Sequence, residues 1–443
     1  MRKLRYGYGA GGQMNPLKAW DNQMLRSFPA NKLQKTNKQN KNQFQATMNV
    51  RQFIHKSLMV ALATASLSAC SLMSDDLSDC PTGLYVNFVY DYNIQRADMF
   101  KDHVGGLTLY VYDETDRLVA QRTVSGSELT RYGYYVHFTE DELAPGHRYR
   151  LTTVALQKDW NAALQTSGAK YRHTDMLKGS SRTQLKVSLD HSPATRQPAD
   201  TRAASAYYEV SAAAPLDTLW HTLTTLKAEA PDVPAKTSYR LLADGTARTN
   251  GVETFQIEHD VPTYATVSLI RDTNHLNLSL REIDKPETID YANFDVTIID
   301  DNTDVDYENK VIAPADSVVY RPYAQWNAYV ESDGQTTADY SAHYDLMFNR
   351  LRYNTTTQNN AVLCIRKKDT GEVVALFNLP YILSAARTYY EHESYQPQEY
   401  LDREYDYRLE LWLKNERWQE GAFLSVCIHN TAWAMRIQYV TIN

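Results

Sequence analysis

Large and polar positions alternate along most of this chain. From 84 to 92, Leu84, Val86, Phe88, Tyr90 and Tyr92 occupy every second position. A period of two predicts a strand with one buried face. The same period recurs at 107–113, 118–124, 134–138, 149–156 and 183–189, and again at 255–258, 264–270 and 276–283. Between the first two strands, 93–104 predicts a short helix with Met99, Phe100 and Val104 inside. Residues 191–205, rich in Pro, Ala, Asp and Arg, carry no period and predict a loop, and 217–226 fits strand or helix. Lys285-Pro286-Glu287 then breaks the pattern and places a domain boundary near Asp284. Further strands are predicted at 294–299, 317–320, 344–351, 362–365 and 373–379, the last pairing back across a Lys367–Gly371 turn. One helical turn at 398–403 precedes strands at 407–413 and 423–428. In the final strand Trp433, Met435, Ile437 and Tyr439 alternate with Ala434, Arg436, Gln438 and Val440. A chain ending inside a strand offers it, through Met435, Ile437 and Tyr439, to another subunit. Short strands with frequent polar turns predict an all-β sandwich architecture rather than βαβ units.

One stretch breaks the alternation. An apolar run over 58–67 follows Arg51, His55 and Lys56 and leads into Ser68-Ala69-Cys70. This is the layout of a secretory signal peptide. The run falls short of the roughly 20 residues a membrane-spanning helix needs. Leu67-Ser-Ala-Cys70 resembles the lipobox of bacterial lipoproteins, which implies cleavage between Ala69 and Cys70 and acyl chains on Cys70. A buried helix or an uncleaved anchor is the alternative. One acyl chain binds a membrane only reversibly, at about 0.8 kcal/mol per buried methylene, whereas two or three anchor it durably. Ser74-Asp75-Asp76 resembles the acidic surface-export signal of Bacteroidetes lipoproteins, against the plainer reading of an acidic linker. Residues 1–47 hold nine Lys or Arg and one acid, Asp21. They fit a mis-assigned extension upstream of a true start at Met48. A basic arm for nucleic acid is disfavoured by its scant aromatic interleaving. The expected organisation is extension 1–47, signal peptide 48–69, tether 70–83, N-terminal domain 84–284 and C-terminal domain 285–443.

Composition narrows the function. The net charge of −7 points to no polyanionic partner, so no nucleic acid is expected. Thirty-two tyrosines suit strands. Of the four cysteines, Cys70 is assigned to lipid, while Cys80, Cys364 and Cys427 form no CxxC, and a Cys364–Cys427 bridge stays open. No GxSxG, HExxH, P-loop or Rossmann glycine motif occurs, and the 12 histidines show no metal-ligand spacing. No catalytic residue, metal, cofactor or small-molecule substrate is therefore expected. Asp300, Asn302, Asp304, Asp306 and Glu308 alternate as calcium ligands do, but Val305 and Val311 stand where an EF-hand needs Gly and Glu. A solvated turn is the better reading. Tyr389, Tyr390, Tyr395 and Tyr400 lie in a loop-like stretch and are candidates for a contact surface.

Two groups of residues carry a family resemblance. Asp79-Cys-Pro81, Leu84 to Asn93, Ala97-Asp-Met-Phe100 and Leu107 to Asp113 resemble the start of the FimB-type fimbrial anchor family of Bacteroidales. Ile299-Asp-Asp-Asn302, Tyr307-Glu-Asn309, Tyr320-Arg-Pro322, Gln398 to Glu404 and Trp433-Ala-Met-Arg436 are similar to its second domain. The likeness covers most of 70–443 and is weak over 157–250. It implies two tandem transthyretin-like β-sandwiches and an accessory subunit at the base of a fimbria. Such a subunit is held in the outer membrane by its acyl chains, pairs strands with a fimbrial shaft subunit and limits fibre length. The alternative is a surface lipoprotein adhesin that binds glycan or host protein without a fibre.

Overall fold

The computed structural model describes residues 82–131, 133–195, 206–223, 248–249, 254–312, 316–330, 339–353, 361–385, 387, 391, 394–415, 424–430 and 434–440, with backbone alone at 248–249, 424–430 and 434–440. The signal peptide, lipobox, acidic triplet and tether expected before position 82 lie outside these residues, as do Cys80, Tyr389 and Tyr390.

The strands in the first part of the chain are β1 (Gly83–Val89), β2 (Gly106–Asp113), β3 (Leu118–Ser125), β4 (Val136–Phe138), β5 (Arg148–Leu156), β6 (Tyr171–His173), β7 (Lys186–Leu189), β8 (Ser192–Pro193) and β9 (Tyr207–Glu209). There follow β10 (Leu219–Thr222), β11 (Arg248–Thr249), β12 (Phe255–Gln256), β13 (Pro262–Arg271), β14 (Thr273–Glu282), β15 (Phe294–Asp300), β16 (Asp304–Asp306) and β17 (Ser317–Tyr320). The last are β18 (Ala324–Val330), β19 (Asp339–Asn349), β20 (Val362–Lys367), β21 (Val373–Asn378), β22 (Asp406–Leu413), β23 (Leu424–Asn430) and β24 (Ala434–Val440). Among the described residues, five short α-helices punctuate them: α1 (Phe100–His103), α2 (Gly126–Thr130), α3 (Trp160–Ala163), α4 (Leu379–Ala385) and α5 (Pro397–Arg403). None of the described helices is long and apolar enough to cross a membrane.

The chain is all-β, with two β-sandwiches in tandem. In the first, the path β3-β2-β5-β10-β13-β1-β4 forms one sheet, with β11 added on β13 and β12 on β5. β13 changes partner along its length, pairing with β1 through Ser268 and with β10 from Leu269 onward. The sheet thereby wraps round a core of Leu84, Val86, Phe88, Leu107, Leu109, Val111, Leu151, Trp220 and Val267. The second sandwich stacks β18-β19-β14-β22-β23-β24 on β21-β20-β15-β17-β9-β8. Its core interleaves Leu276, Leu278, Tyr344, Leu346, Leu409 and Leu411 with Val296, Ile298, Val318, Leu363 and Phe377. Alternate residues of each strand face inward, as the sequence period predicts.

Three features depart from the sequence expectation. β2 is buried on both faces. Leu107, Leu109 and Val111 enter the first core, while Tyr110 and Tyr112 join Trp160, Tyr171, Met176 and Val187 in the second. Next, the N-terminal domain expected over 84–284 does not match sheet membership. β14, the strand expected to close it, sits inside the second sandwich between β19 and β22. The change of sandwich falls at Asp272, the single residue between β13 and β14. Lys285-Pro286 only ends β14 and opens a 3-10 turn. Finally, β7 pairs with β16 and β9 with β17, so these two strands belong with the second sandwich rather than the first. The short helix read at 93–104 narrows to α1, with Phe100 and Val104 buried as expected.

Candidate functional site

Two features of the fold stand out: the sheet edge at β24 and the joint between the sandwiches. β24 ends its sheet, pairing with β23 from Leu424↔Val440 to Asn430↔Ala434. Among the described residues no strand pairs with its other side. Met435, Ile437 and Tyr439 stand in register with His429, Cys427 and Ser425. An edge of this kind presents a row of backbone N–H and C=O groups to an incoming strand.

The joint between the sandwiches is built from buried polar residues. Thr273 Oγ1 lies 2.9 Å from Tyr171 Oη and accepts from Leu219 N at 3.0 Å. Tyr171 Oη donates to Asn349 Oδ1 at 2.5 Å. Asn349 Nδ2 donates to Asn302 O, and Asn302 Nδ2 donates back to Asn349 O, each at 2.9 Å. Asn309 Nδ2 donates to Asp272 Oδ1 at 2.8 Å. Burial pushes the Asp272 carboxyl up to about 7, against the pull of Arg350 and Asn309. Arg350 forks onto Asp402 with two 2.6 Å bonds and reaches Asn309 O at 3.0 Å. Such bidentate pairs fix geometry as well as charge.

A second contact fastens α5 to the first sandwich. Arg403, 4% exposed, donates to Glu399 Oε1 at 2.9 Å, one helical turn earlier. Its guanidinium lies 3.9 Å from the Tyr92 ring centroid and 4.9 Å from that of Tyr395. Ile94 N donates to Arg403 O at 3.1 Å, and Arg96 Nε donates to Tyr395 Oη at 2.6 Å. Beside it, Arg271 stacks on Tyr405 at 4.0 Å. Burial pushes Glu404 up to about 8, although Tyr405 N and Asp406 N both donate to its Oε1. Cationic side chains laid over aromatic rings and removed from water contribute about 2 kcal/mol or more each.

Several candidate residues are placed differently from the sequence reading. Tyr395 and Tyr400 are buried, so they are no contact surface. Tyr395 serves the joint, and Tyr400, a residue of α5, is buried in the second core. Cys364 is buried on β20, in the sheet opposite the one that holds Cys427 on β23. The alternating acids do not converge. Asn302 serves the joint, Asp304 pairs with Lys186 at 2.6 Å, and Asp306 accepts from Glu308 N and Lys310 N. Glu308 lies 2.5 Å from Lys310. Glu140, His259 and Asp260 are near enough to share an ion, but His259 and Asp260 are exposed and the group is accounted for as a surface ion pair. Sequence reading missed Arg350, Asp402, Arg403 and Asp272. The i,i+4 spacing of Glu399 and Arg403 was the available signal for one of these.

The comparisons agree with this architecture. A crystal structure of a putative adhesin from Bacteroides thetaiotaomicron is 24% identical, with a TM-score of 0.57 over 82% of this chain and 100% of that one. A crystal structure of putative polysaccharide binding proteins from the same organism is 22% identical, with a TM-score of 0.54 over 81% and 98%. The fimbrial anchor protein Mfa2 from Porphyromonas gingivalis is 16% identical, with a TM-score of 0.45 over 75% and 91%. No curated protein matches the chain. The family model for fimbrillin-A associated anchor proteins Mfa1 and Mfa2 matches residues 77–438. The chain therefore belongs to the fimbrillin-A associated anchor protein family and has a fimbrial accessory or adhesin role.

Proposed function

We propose that this protein is a fimbrial anchor. Cys70 carries acyl chains that hold it in the outer membrane, and Ser74-Asp75-Asp76 directs it to the outer surface. The edge of β24, through Met435, Ile437 and Tyr439, pairs with a shaft subunit, fixes the fibre and limits its length. The observation that carries this reading is the family match, which begins seven residues after the lipobox and runs into β24. The joint supports it, because a mooring under shear has to pass load from one sandwich to the other without a loose hinge.

Deletion of the gene tests it. An anchor's loss releases fibres into the medium or changes their length. If fibres stay attached at normal length and only binding to a surface is lost, the adhesin reading replaces it. Intact mass of the protein from its host tests the membrane attachment. A start at Cys70 with added acyl mass is expected, and a chain retaining residues before 70 refutes it.

A further inference from the structure

Natural sheets guard their edges against unplanned pairing with charge, proline, bulges or shortness. Most edges here follow that rule. β3 carries Arg122, ion-paired with Glu142, and meets β2 across a register shift. β4 has three residues, and β8 has two with Pro193. β21 pairs through another shift at Ile365/Arg366, and β24 contains Arg436. β18 is the exception. Its seven residues, Ala324-Gln-Trp-Asn-Ala-Tyr-Val330, include no charge, proline or glycine. It pairs with β19 at all seven positions without a shift, and no described strand pairs with its other side. Trp326, Tyr329 and Val330 are 38%, 55% and 56% exposed.

We propose that β18 is a self-pairing edge, along which two copies of this chain join antiparallel about Asn327. That register is the one that uses all seven residues of both strands. It sets Trp326 against Ala328, Gln325 against Tyr329 and Ala324 against Val330, so large residues meet small or flexible ones. Cross-strand neighbours of this kind are the unit of sheet stabilisation. Both aromatics are already held in place. Trp326 stacks on His343 with centroids 5.1 Å apart and planes 7° apart, and Tyr329 lies 4.7 Å from Tyr340. Little ordering therefore remains to be done on contact. The symmetry is isologous and closes at two copies. One feature opposes it: Asp290 accepts from Asn327 Nδ2 at 2.9 Å, so each copy brings a carboxylate to the same face near the dyad. Salt screens that repulsion and tightens the pair. A single strand pair is a small interface, so dimers form at about 100 µM rather than at nanomolar concentration.

The test uses the full chain in detergent. Antiparallel neighbours lie about 4.5–5.5 Å apart at Cα, within disulfide range. Asn327→Cys should cross-link to itself on oxidation, above the background of the parent chain. Gln325→Cys alone should not, since its two copies would stand about 13 Å apart. Mixed Gln325→Cys and Tyr329→Cys chains should cross-link. Sedimentation should show a dimer that grows with concentration and with salt. A monomer at every concentration, or self-cross-linking of Gln325→Cys equal to that of Asn327→Cys, overturns the proposal. So does exclusive cross-linking of Asn327→Cys to a different polypeptide.

Discussion

Arg403 is the residue whose loss should most clearly expose how the two halves are coupled. The Arg403→Met variant keeps the stem and removes the guanidinium. Glu399, 5% exposed, then loses its cation. Stranding one member of a buried pair costs about 3–5 kcal/mol. Losing the stacking on Tyr92 and Tyr395 raises the expected figure toward the top of that range. Unfolding entropy is about 2.1 cal/mol/K per residue. Over the compact unit Cys80–Asn443, a loss of about 4 kcal/mol becomes a drop in Tm of roughly 5 °C. Calorimetry reads this directly. The double variant Arg403→Met/Glu399→Leu removes the stranded carboxylate and should recover more than half of the loss, because replacing a buried pair by apolar groups is often neutral. A loss under about 1 kcal/mol in the single variant, or no recovery in the double, refutes the account of the joint.

Other perturbations probe separate parts of the structure. Gly83 opens β1 at φ +82°, and a Cβ there would stand 2.2 Å from Phe138 O, so Gly83→Ala should cost about 2–4 kcal/mol, read as a lowered urea midpoint; a loss below about 0.5 kcal/mol contradicts the geometry. Buried carboxyls should make stability fall as pH rises. Asp272, raised from 3.8 to about 7, and Glu404, raised from 4.5 to about 8, hold protons in the folded state that the unfolded chain releases. His275 adds to the same trend. Burial opposes its charge, but Asp345 and Asp406 outweigh that and raise it from 6.5 to about 9, so its contribution is full below 6.5 and fades toward 9. Glu404→Gln should flatten the profile between pH 4.5 and 8, and a variant profile parallel to the parent's rules out Glu404 as a cause. Cys70→Ala should leave the protein out of outer-membrane fractions; its continued presence there contradicts the lipid assignment.

Much of the strand order was legible because a half-buried strand declares itself by alternation. β1, β22 and the β20–β21 hairpin lie where the period placed them. What the period does not carry is which strands share a sheet. The change of sandwich at Asp272 leaves no local mark, since β13 and β14 are both strongly alternating and one residue separates them. Lys285-Pro286 is the louder punctuation but ends only a strand. β2 held a clue in Tyr110 and Tyr112, which occupy the positions where a solvated face would be polar. The joint was hidden for another reason. Arg350 and Asp402 lie 52 positions apart, and Arg96 and Tyr395 lie 299 apart. Tyr395 and Tyr400 lie in a stretch that looks like a loop in sequence, and it is contacts of Arg96, Arg387, Glu399 and Arg403 that tie it into the interior.

β1 has a bearing on how the molecule is made. Gly83 pairs in parallel with Pro262, and His275 in parallel with Asp406, so each sandwich closes by joining segments far apart along the chain. Pairings of this kind must meet the entropy of a long loop before any contact rewards it, and they fold slowly. A chain emerging from its N-terminus would give β1 a neighbour on one side, β4, after some 50 residues, but leave its other side open until some 180 have arrived. Through that interval an apolar, half-paired ribbon stands open to aggregation. Newly made chains should therefore depend on a holding chaperone until β13 is delivered.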